Sequence, residues 1–173
     1  MNIVVIGGGK LGFTLSQQLS QEEHNIMVID HNPEALAKFE NTLDIICLQG
    51  NAVSVDVQKE AGVAEADLVI AVTSSDETNI ICCLLARKLG AHYTVARVRN
   101  PEYTSSLFFI KDDLRLSLSV NPELETATEI SRLIRFPSAM KIDFFAKGRV
   151  EIVEFKVSQE TPLVGTALYK LQQ

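Results

Sequence analysis

Three glycines near the start of the chain have the spacing of a phosphate-binding turn. Gly7, Gly9 and Gly12 fit the pattern G-x-G-x-x-G and directly follow the apolar stretch NIVVI. In this pattern the first glycine makes a tight turn, the second lets a diphosphate approach the backbone, and the third lets helix and strand pack closely. The free N–H groups at the start of the next helix attract the phosphates. By itself the pattern is weak evidence, because some glycine turns only connect two elements.

An acidic residue supports the same interpretation. Asp30 ends the apolar stretch NIMVID, 18 residues after Gly12. A carboxylate at the end of the second strand accepts hydrogen bonds from an adenosine ribose diol and disfavours a 2′-phosphate. The sequence therefore favours NAD(H) over NADP(H), and it leaves ATP or ADP open because both carry this diol. The alternative is a structural glycine turn with Asp30 as a solvated strand end.

Polar residues after later strands extend the candidate site. Thr73 and Ser74 follow the fourth apolar stretch, where they either contact ribose or phosphate or cap the next helix. Arg97, near the end of the fifth stretch, pairs either with phosphate or with a neighbouring acid. Asn51 either faces the adenine or caps its own turn. Lys10 is expected to contribute its backbone N–H rather than its side chain.

No catalytic constellation accompanies this site. His24, His31 and His92 lie in polar turns or beside strands, so we expect surface or loop histidines. Only about forty residues follow the nucleotide-binding pattern, too few for the substrate domain that a dehydrogenase needs. The three cysteines have no metal-binding spacing. We therefore predict a nucleotide sensor that is not an enzyme and has no metal site; the alternative is a fragment of an NAD-dependent oxidoreductase.

Charge and hydropathy exclude two classes of partner. The 173 residues carry a net charge of -6, which argues against nucleic-acid binding because that requires a basic surface. No apolar run approaches the roughly 18 residues that a membrane span requires. We expect no direct membrane insertion, so a membrane role requires a partner.

The residues of the site require a particular fold to position them. Over residues 1–135, six apolar stretches alternate with helical patterns, and the sixth stretch, LRLSLSV, alternates apolar and polar residues as an edge strand does. Asn-Pro-Glu occurs three times, each time where a helix is expected to begin. This alternation predicts an α/β fold, a Rossmann-like doubly wound parallel sheet, over residues 1–135.

Residues 136–173 follow a different pattern. KIDFFAKGRVEIVEFKV predicts two strands around Lys147-Gly148, and Thr161-Pro162 begin another helical pattern. We interpret this segment as a linker and the start of a small α+β C-terminal lobe. The lobe is expected to be truncated or to be completed by another chain.

Four segments together resemble a known family. IVVIGGGKLG, the acid of VID, AVTSSDETN and ARVRNPEY are similar to the regulatory subunits of Trk-type potassium uptake systems. That family contains the regulator of K⁺ conductance domain, also called the potassium-transport nucleotide-binding domain. The resemblance extends through FFAKGRVEIVEFKV and TPLVG. The glycine pattern is common to many proteins, whereas AVTSSDETN followed by ARVRNPEY is much more specific.

The resemblance implies a nucleotide-binding subunit, cytoplasmic and peripheral on the inner face of the plasma membrane. Such subunits gate K⁺ uptake through an integral membrane potassium-transport subunit and assemble as dimers or rings. The apolar run 106–110 and the helix from Glu123 to Arg135 are our candidates for that interface, although burial in the core is favoured for 106–110. The NAD contacts of the family carry over onto a set of matching positions: Gly7, Gly8, Gly9, Lys10, Leu11, Asp30, Thr73, Ser74 and Arg97.

Overall fold

The computed structural model describes residues 1–103, 106–107, 116–135, 139–145, 149–159, 163–167 and 169–170. Strands and helices alternate in the first part of the chain. In chain order they are β1 (Asn2–Ile6), α1 (Lys10–Ser20), β2 (Asn25–Asp30), α2 (Pro33–Glu40), β3 (Ile46–Gln49), α3 (Val55–Glu60), β4 (Leu68–Ala71), α4 (Asp76–Leu89), β5 (Tyr93–Arg97), β6 (Leu118–Val120), α5 (Pro122–Arg135), β7 (Ala139–Phe145) and β8 (Val150–Phe155).

The first six strands form one parallel sheet in the order β3-β2-β1-β4-β5-β6. This is the order of a doubly wound dinucleotide-binding sheet, and the predicted fold is confirmed. The chain builds outward from β1 in one direction, then returns and builds outward from β4 in the other. Strands β1 and β4 therefore meet at the switch point, where a crevice opens at their carboxyl ends. The alternating β6 lies at the edge of the sheet, as predicted.

Both faces of this sheet are buried. Successive side chains of β1 belong to two different core clusters, one on each face of the sheet. Ile3 and Val5 belong to the first cluster, with Phe39, and Val4 and Ile6 belong to the second cluster. The second cluster also includes the α4 residues Cys82, Cys83 and Ala86. Because a strand covered on both faces needs apolar residues at every position, the uninterrupted apolar stretches in the sequence correspond to the central strands.

Asparagine side chains begin the helices, as the Asn-Pro-Glu pattern predicts. The Oδ1 of Asn32 accepts a hydrogen bond from Glu34 N at 3.0 Å, and the Oδ1 of Asn121 accepts one from Leu124 N at 3.0 Å. The residues after two helical segments, Gly62 and Gly90, have φ of 71° and 133°. A positive φ favours glycine, which explains why these residues end the segments.

The chain divides into two compact units, Met1–Leu124 and Glu125–Gln173. The sequence predicted the domain boundary at 135, where FPSAM interrupts the helical pattern, whereas the two compact units divide within the first turn of α5. In the second unit, β7 and β8 pair antiparallel, as predicted for the stretch around 147–148, and Arg135 binds Glu151 at 2.9 Å. The predicted turn at Lys147-Gly148 and the predicted helix start at Thr161-Pro162 lie outside the described residues.

Two further predictions concern exposed surfaces. Of the run 106–110, Leu107 is buried against the sheet, and 108–110 lie outside the described residues. Helix α5 has no buried residue, and four of its apolar side chains are more than half exposed: Leu124, Ile130, Leu133 and Ile134. Within the described ranges, no helix has the length and apolar character needed to cross a bilayer.

Candidate functional site

The glycine turn between β1 and α1 has no room for side chains at two of its positions. Gly7 has φ of 110°, and a Cβ added there would lie 2.9 Å from Thr73 N. A Cβ on Gly12 would lie 1.9 Å from the carbonyl oxygen of Gly7. These two glycines therefore have structural roles, a turn and a close helix–strand contact, as the sequence pattern predicts.

Gly9 differs from both of these glycines. It is the N-cap of α1, with φ of -70° and ψ of -173°, and a Cβ added there would meet no atom within 4 Å. Neither folding nor packing therefore requires glycine at this position. An open space beside the backbone, at the start of a helix, is what a diphosphate needs in order to approach the main chain.

The start of α1 is also chemically suited to an anion. No acidic side chain lies in its first turn and no side chain caps it. The backbone N–H groups of Lys10 and Leu11 lie in that turn, where an α-helix offers them no carbonyl partner. The positive end of the helix dipole lies at the same place and attracts negative charge as well. The Lys10 side chain is exposed, in agreement with an expected contribution from its backbone alone.

Asp30 is attached to the glycine turn by its side chain. Its Oδ2 accepts a hydrogen bond from Gly8 N at 2.5 Å, and its Oδ1 accepts one from Asn32 N at 2.8 Å. The side chain is only 13% exposed, and His31 Nδ1 lies 3.4 Å from Oδ1. Oδ2, with one hydrogen bond from the protein, keeps a further lone pair for a ligand hydroxyl. Asp30 thus positions the turn and remains an acceptor at the end of β2.

A cleft of about 360 Å³ opens at the carboxyl ends of β1, β2, β3 and β4. It brings together four of the nine predicted ligand residues, Gly7, Asp30, Thr73 and Ser74, although they come from distant parts of the chain. The predicted residues that are not in its lining are Gly8, Gly9, Lys10, Leu11 and Arg97. The residues that line it are Ile6, Gly7, Ile29, Asp30, His31, Gly50, Asn51, Ala52, Val53, Thr73, Ser74, Ser75 and Thr78. A larger cavity, about 490 Å³, lies at the amino ends of β1, β2 and β3, the end of a doubly wound sheet where ligands are not expected.

Other predicted residues of the cleft have partners within the protein. Asn51 Oδ1 accepts a hydrogen bond from Val53 N at 3.1 Å, so its side chain caps its own turn while lining the cleft. The Thr73 backbone N–H and hydroxyl both donate to Asn79, at 2.8 and 2.7 Å. The side-chain oxygen of Ser75 accepts from Thr78 N at 3.1 Å and caps α4.

Arg97 is not among the residues that line the cleft. Its guanidinium binds the carboxylate of Glu123, at the start of α5, and its side chain is 17% exposed. Glu123 is thus the neighbouring acid that was considered for Arg97, and the contact with phosphate stays a prediction. The sequence could not decide between them, because Glu123 lies on another element.

Three residues that sequence reasoning did not select support the rim of the cleft. Arg99 donates to the carbonyl oxygen of Ser74 and, through Nε at 3.2 Å, to Asp76. Asp76 also accepts from the backbone N–H groups of Arg99 and Asn100, each at 2.8 Å. The third residue is Asn79, which is fully buried. The sequence contained a signal for these residues. Asp76 and Asn79 lie one helical turn apart at the start of α4, so their side chains lie on the same face of the helix, and Arg99 follows Arg97 by two residues.

The histidines do not form a catalytic group with one another. His24 lies 3.5 Å from a carboxylate oxygen of Glu22, and His92 lies 3.5 Å from one of Asp67. His31 lines the cleft beside Asp30. Among the described residues, no three His, Cys, Asp or Glu side chains gather closely enough to hold a metal ion.

Comparison with known proteins assigns the chain to a family. The profile of the TrkA-N domain matches residues 3–111. The chain is 34% identical over 173 residues to a Trk system potassium uptake protein TrkA homolog of Archaeoglobus fulgidus, covering 99% of this chain and 39% of the relative. It is 35% identical over 176 residues to the Trk system potassium uptake protein TrkA of Vibrio alginolyticus, covering 100% of this chain and 38% of the relative. The chain thus spans about two fifths of the length of these relatives. Their names denote potassium uptake and not an enzymatic reaction.

Solved structures share the fold. The TrkA-N domain of the inner membrane protein ybaL from Escherichia coli superposes with a TM-score of 0.68 at 16% identity, over 77% of this chain and 96% of that domain. The GsuK channel bound to NAD superposes with a TM-score of 0.59 at 23% identity, over 69% of this chain and 21% of the channel. Identities this low show the fold alone. The matched profile and the curated relatives together show that the chain belongs to the TrkA-N domain family.

Proposed function

We propose that this chain is the nucleotide-binding regulatory domain of a Trk-type potassium uptake system, with NAD(H) as its ligand and ATP or ADP as alternatives. The observation that carries the proposal is the space beside Gly9, at the uncapped start of α1 and next to Asp30. In the proposed complex, the amides from Gly9 to Leu11 hold the diphosphate and Asp30 accepts from the adenosine ribose.

The other predicted residues have different places in the proposed site. Gly7 and Gly8 form the turn, and the amide of Gly8 donates to Asp30. Thr73 and Ser74, which follow β4, also line the cleft. Arg97 is bound to Glu123, so it would have to leave that acid to reach a phosphate, and we leave it out of the proposed site.

The experiment for this step is a thermal-shift comparison of NADH, NAD, ATP and ADP. A ligand at 100 times its dissociation constant stabilises the folded state by about 2.7 kcal/mol, enough for a clear rise in melting temperature. We expect NADH or NAD to give the largest rise. A melting temperature that none of the four changes would contradict the proposal. Steady oxidation of NADH with candidate acceptors would instead support an oxidoreductase.

The partners in this proposal are a second copy of the chain and an integral membrane potassium-transport subunit. The exposed apolar side chains of α5 support self-association, because apolar side chains grouped on a helix are typical of an interface. The membrane subunit is inferred from the relatives, which are named potassium uptake proteins. We propose that the protein lies in the cytoplasm, on the inner face of the plasma membrane, without direct insertion and without nucleic acid.

Gating requires that the nucleotide bind two states of the assembly with different affinity. A ligand that binds both states equally shifts neither, however tightly it binds. In a full-length protein containing this domain, removal of the Asp30 carboxylate should therefore shift the NADH concentration at which K⁺ flux changes. A K⁺ flux that responds to NADH identically in both proteins would contradict the regulatory role of this site.

A further inference from the structure

Asn79 connects the cleft to the neighbouring strand through one fully buried amide. It lies on the first turn of α4. Its Oδ1 accepts from the backbone N–H of Thr73 at 2.8 Å and from the Thr73 hydroxyl at 2.7 Å. Its Nδ2 donates to the carbonyl oxygens of Thr73 at 3.3 Å and Arg97 at 2.9 Å. All of these partners belong to the ends of β4 and β5, beside the cleft.

These partners determine which way the amide points. A backbone N–H only donates and a carbonyl only accepts. With the amide reversed, Nδ2 would face the N–H of Thr73, and Oδ1 would face two carbonyl oxygens. Each contact with the backbone would then be repulsive, so the surroundings admit one orientation.

The orientation of Asn79 sets the hydrogen-bonding character of Thr73. A hydroxyl has one proton and two lone pairs. The Thr73 proton is directed at Asn79 Oδ1, at 2.7 Å, with the carbonyl of Ser75 at 3.2 Å as the other acceptor within reach. One lone pair accepts from Ser75 N at 3.3 Å. Because the Thr73 backbone N–H is also bound to Asn79, the hydroxyl can offer a ligand only its remaining lone pair.

We propose that Asn79 makes Thr73 an acceptor-only contact, which recognises a hydroxyl of the second ribose of a dinucleotide and not a phosphate. A phosphate oxygen has no proton to give to an acceptor, whereas a ribose hydroxyl has one. Thr73 follows β4, in the second half of the sheet, and Asp30 is the last residue of β2, in the first half. A dinucleotide lies across these halves. This inference rests on the proposed function and specifies what Thr73 selects within its cleft.

The test compares Thr73→Val with Thr73→Ser, using NADH, ADP-ribose and ADP as titrants in calorimetry. NADH and ADP-ribose carry a second ribose and ADP does not. Valine has the shape of threonine without the hydroxyl, so we expect Thr73→Val to weaken NADH and ADP-ribose binding about five- to tenfold and leave ADP unchanged. Thr73→Ser restores the hydroxyl and should bind NADH as the wild type does.

Each other outcome has a definite meaning. Unchanged NADH binding by Thr73→Val, or an equal loss for ADP, overturns this inference while the proposed function stands. A wild-type protein that binds none of the three titrants overturns both.

Asn79→Ala tests the positioning role. It should reduce the preference for NADH over ADP, because the Thr73 proton loses its 2.7 Å acceptor and keeps only the Ser75 carbonyl at 3.2 Å, so that it can turn toward a phosphate oxygen. The matched control is Thr94→Val, at a fully buried residue whose hydroxyl accepts from Ser117 N at 3.4 Å, outside the cleft lining. It should lower the melting temperature and leave the NADH-to-ADP preference unchanged. An Asn79→Ala protein that keeps the wild-type preference overturns the role of Asn79; if that variant does not fold, Thr73→Val and Thr73→Ser decide the question.

Discussion

Replacement of Gly9 by alanine should separate nucleotide binding from folding. The backbone at Gly9, with φ of -70° and ψ of -173°, is one that alanine adopts without strain, and the added Cβ would meet no protein atom within 4 Å. The methyl group would occupy the space that we assign to the diphosphate. Gly9→Ala should therefore fold normally and bind NADH poorly.

The change in stability can be worked out from two opposing effects. Alanine at a compatible φ stabilises a protein by about 0.4–1 kcal/mol, because it restricts the unfolded chain. Alanine is also a poorer N-cap than glycine, by an amount of similar size. The two effects nearly cancel, so the free energy of unfolding should change by less than about 1 kcal/mol. For a domain of this size, that is a change in melting temperature of less than about 2–4 °C.

The change in binding should be much larger. A hydrogen bond from a backbone amide to a charged phosphate contributes about 1.5–3 kcal/mol. Loss of one such bond raises the dissociation constant for NADH about 10- to 150-fold. Calorimetric titration with NADH measures this directly, and a thermal melt of the same sample without NADH reports the stability.

Gly62→Ala is the matched control, because it should have the opposite effects. Gly62 also has nothing within 4 Å of an added Cβ, but its φ is 71°. A side chain at that φ costs about 1–2 kcal/mol. The melting temperature should fall, and NADH binding should remain that of the wild type. Wild-type affinity for NADH in Gly9→Ala would refute the proposal that the diphosphate lies beside this residue.

Three further predictions follow from the same structure. Asp30→Asn should weaken NADH binding at least about tenfold, because a charged acceptor for the ribose is lost; unchanged affinity by calorimetry would place the ribose elsewhere. The pKa of Asp76 is affected first by burial, which raises it, but backbone amides and the Arg99 guanidinium lower it below 3.8 overall. Its contribution to stability is thus fully present above about pH 4 and is lost as pH falls through the lowered pKa. Urea unfolding at pH 5 and at pH 3 should therefore show a smaller loss of unfolding free energy in Asp76→Asn than in the wild type. An identical pH dependence in the two proteins would show that the Asp76 carboxylate does not contribute to it. Burial raises the pKa of Cys82 to about 11 and of Cys83 to about 12, so neither should react with a thiol reagent at pH 7 until urea unfolds the protein, and rapid labelling of native protein, located by mass spectrometry, would show that α4 opens.

Much of the fold is predictable from the sequence because its signals are local. Each of these signals depends on residues that are close in the chain. They are the apolar stretches such as NIVVI, the three asparagines that accept from a backbone N–H two or three residues later, and the positive φ of Gly62 and Gly90. The glycine turn belongs to the same class, since the close contact at Gly12 is with Gly7. Asp30 was placed correctly at the end of β2 for the same reason.

The sequence by itself thus determined the order of the elements, the glycine turn and the acid beside it, because backbone conformation and strand–helix periodicity depend on residues close in the chain. Only the tertiary structure decided which arginine supports the cleft and what Thr73 can offer a ligand. Arg97 meets Glu123, Arg99 meets Asp76, and Asn79 meets both β4 and β5. Those partners are set by how α4 and β5 pack against each other and against the segment that contains Glu123, because a hydrogen bond forms only where two residues lie within about 3 Å of each other.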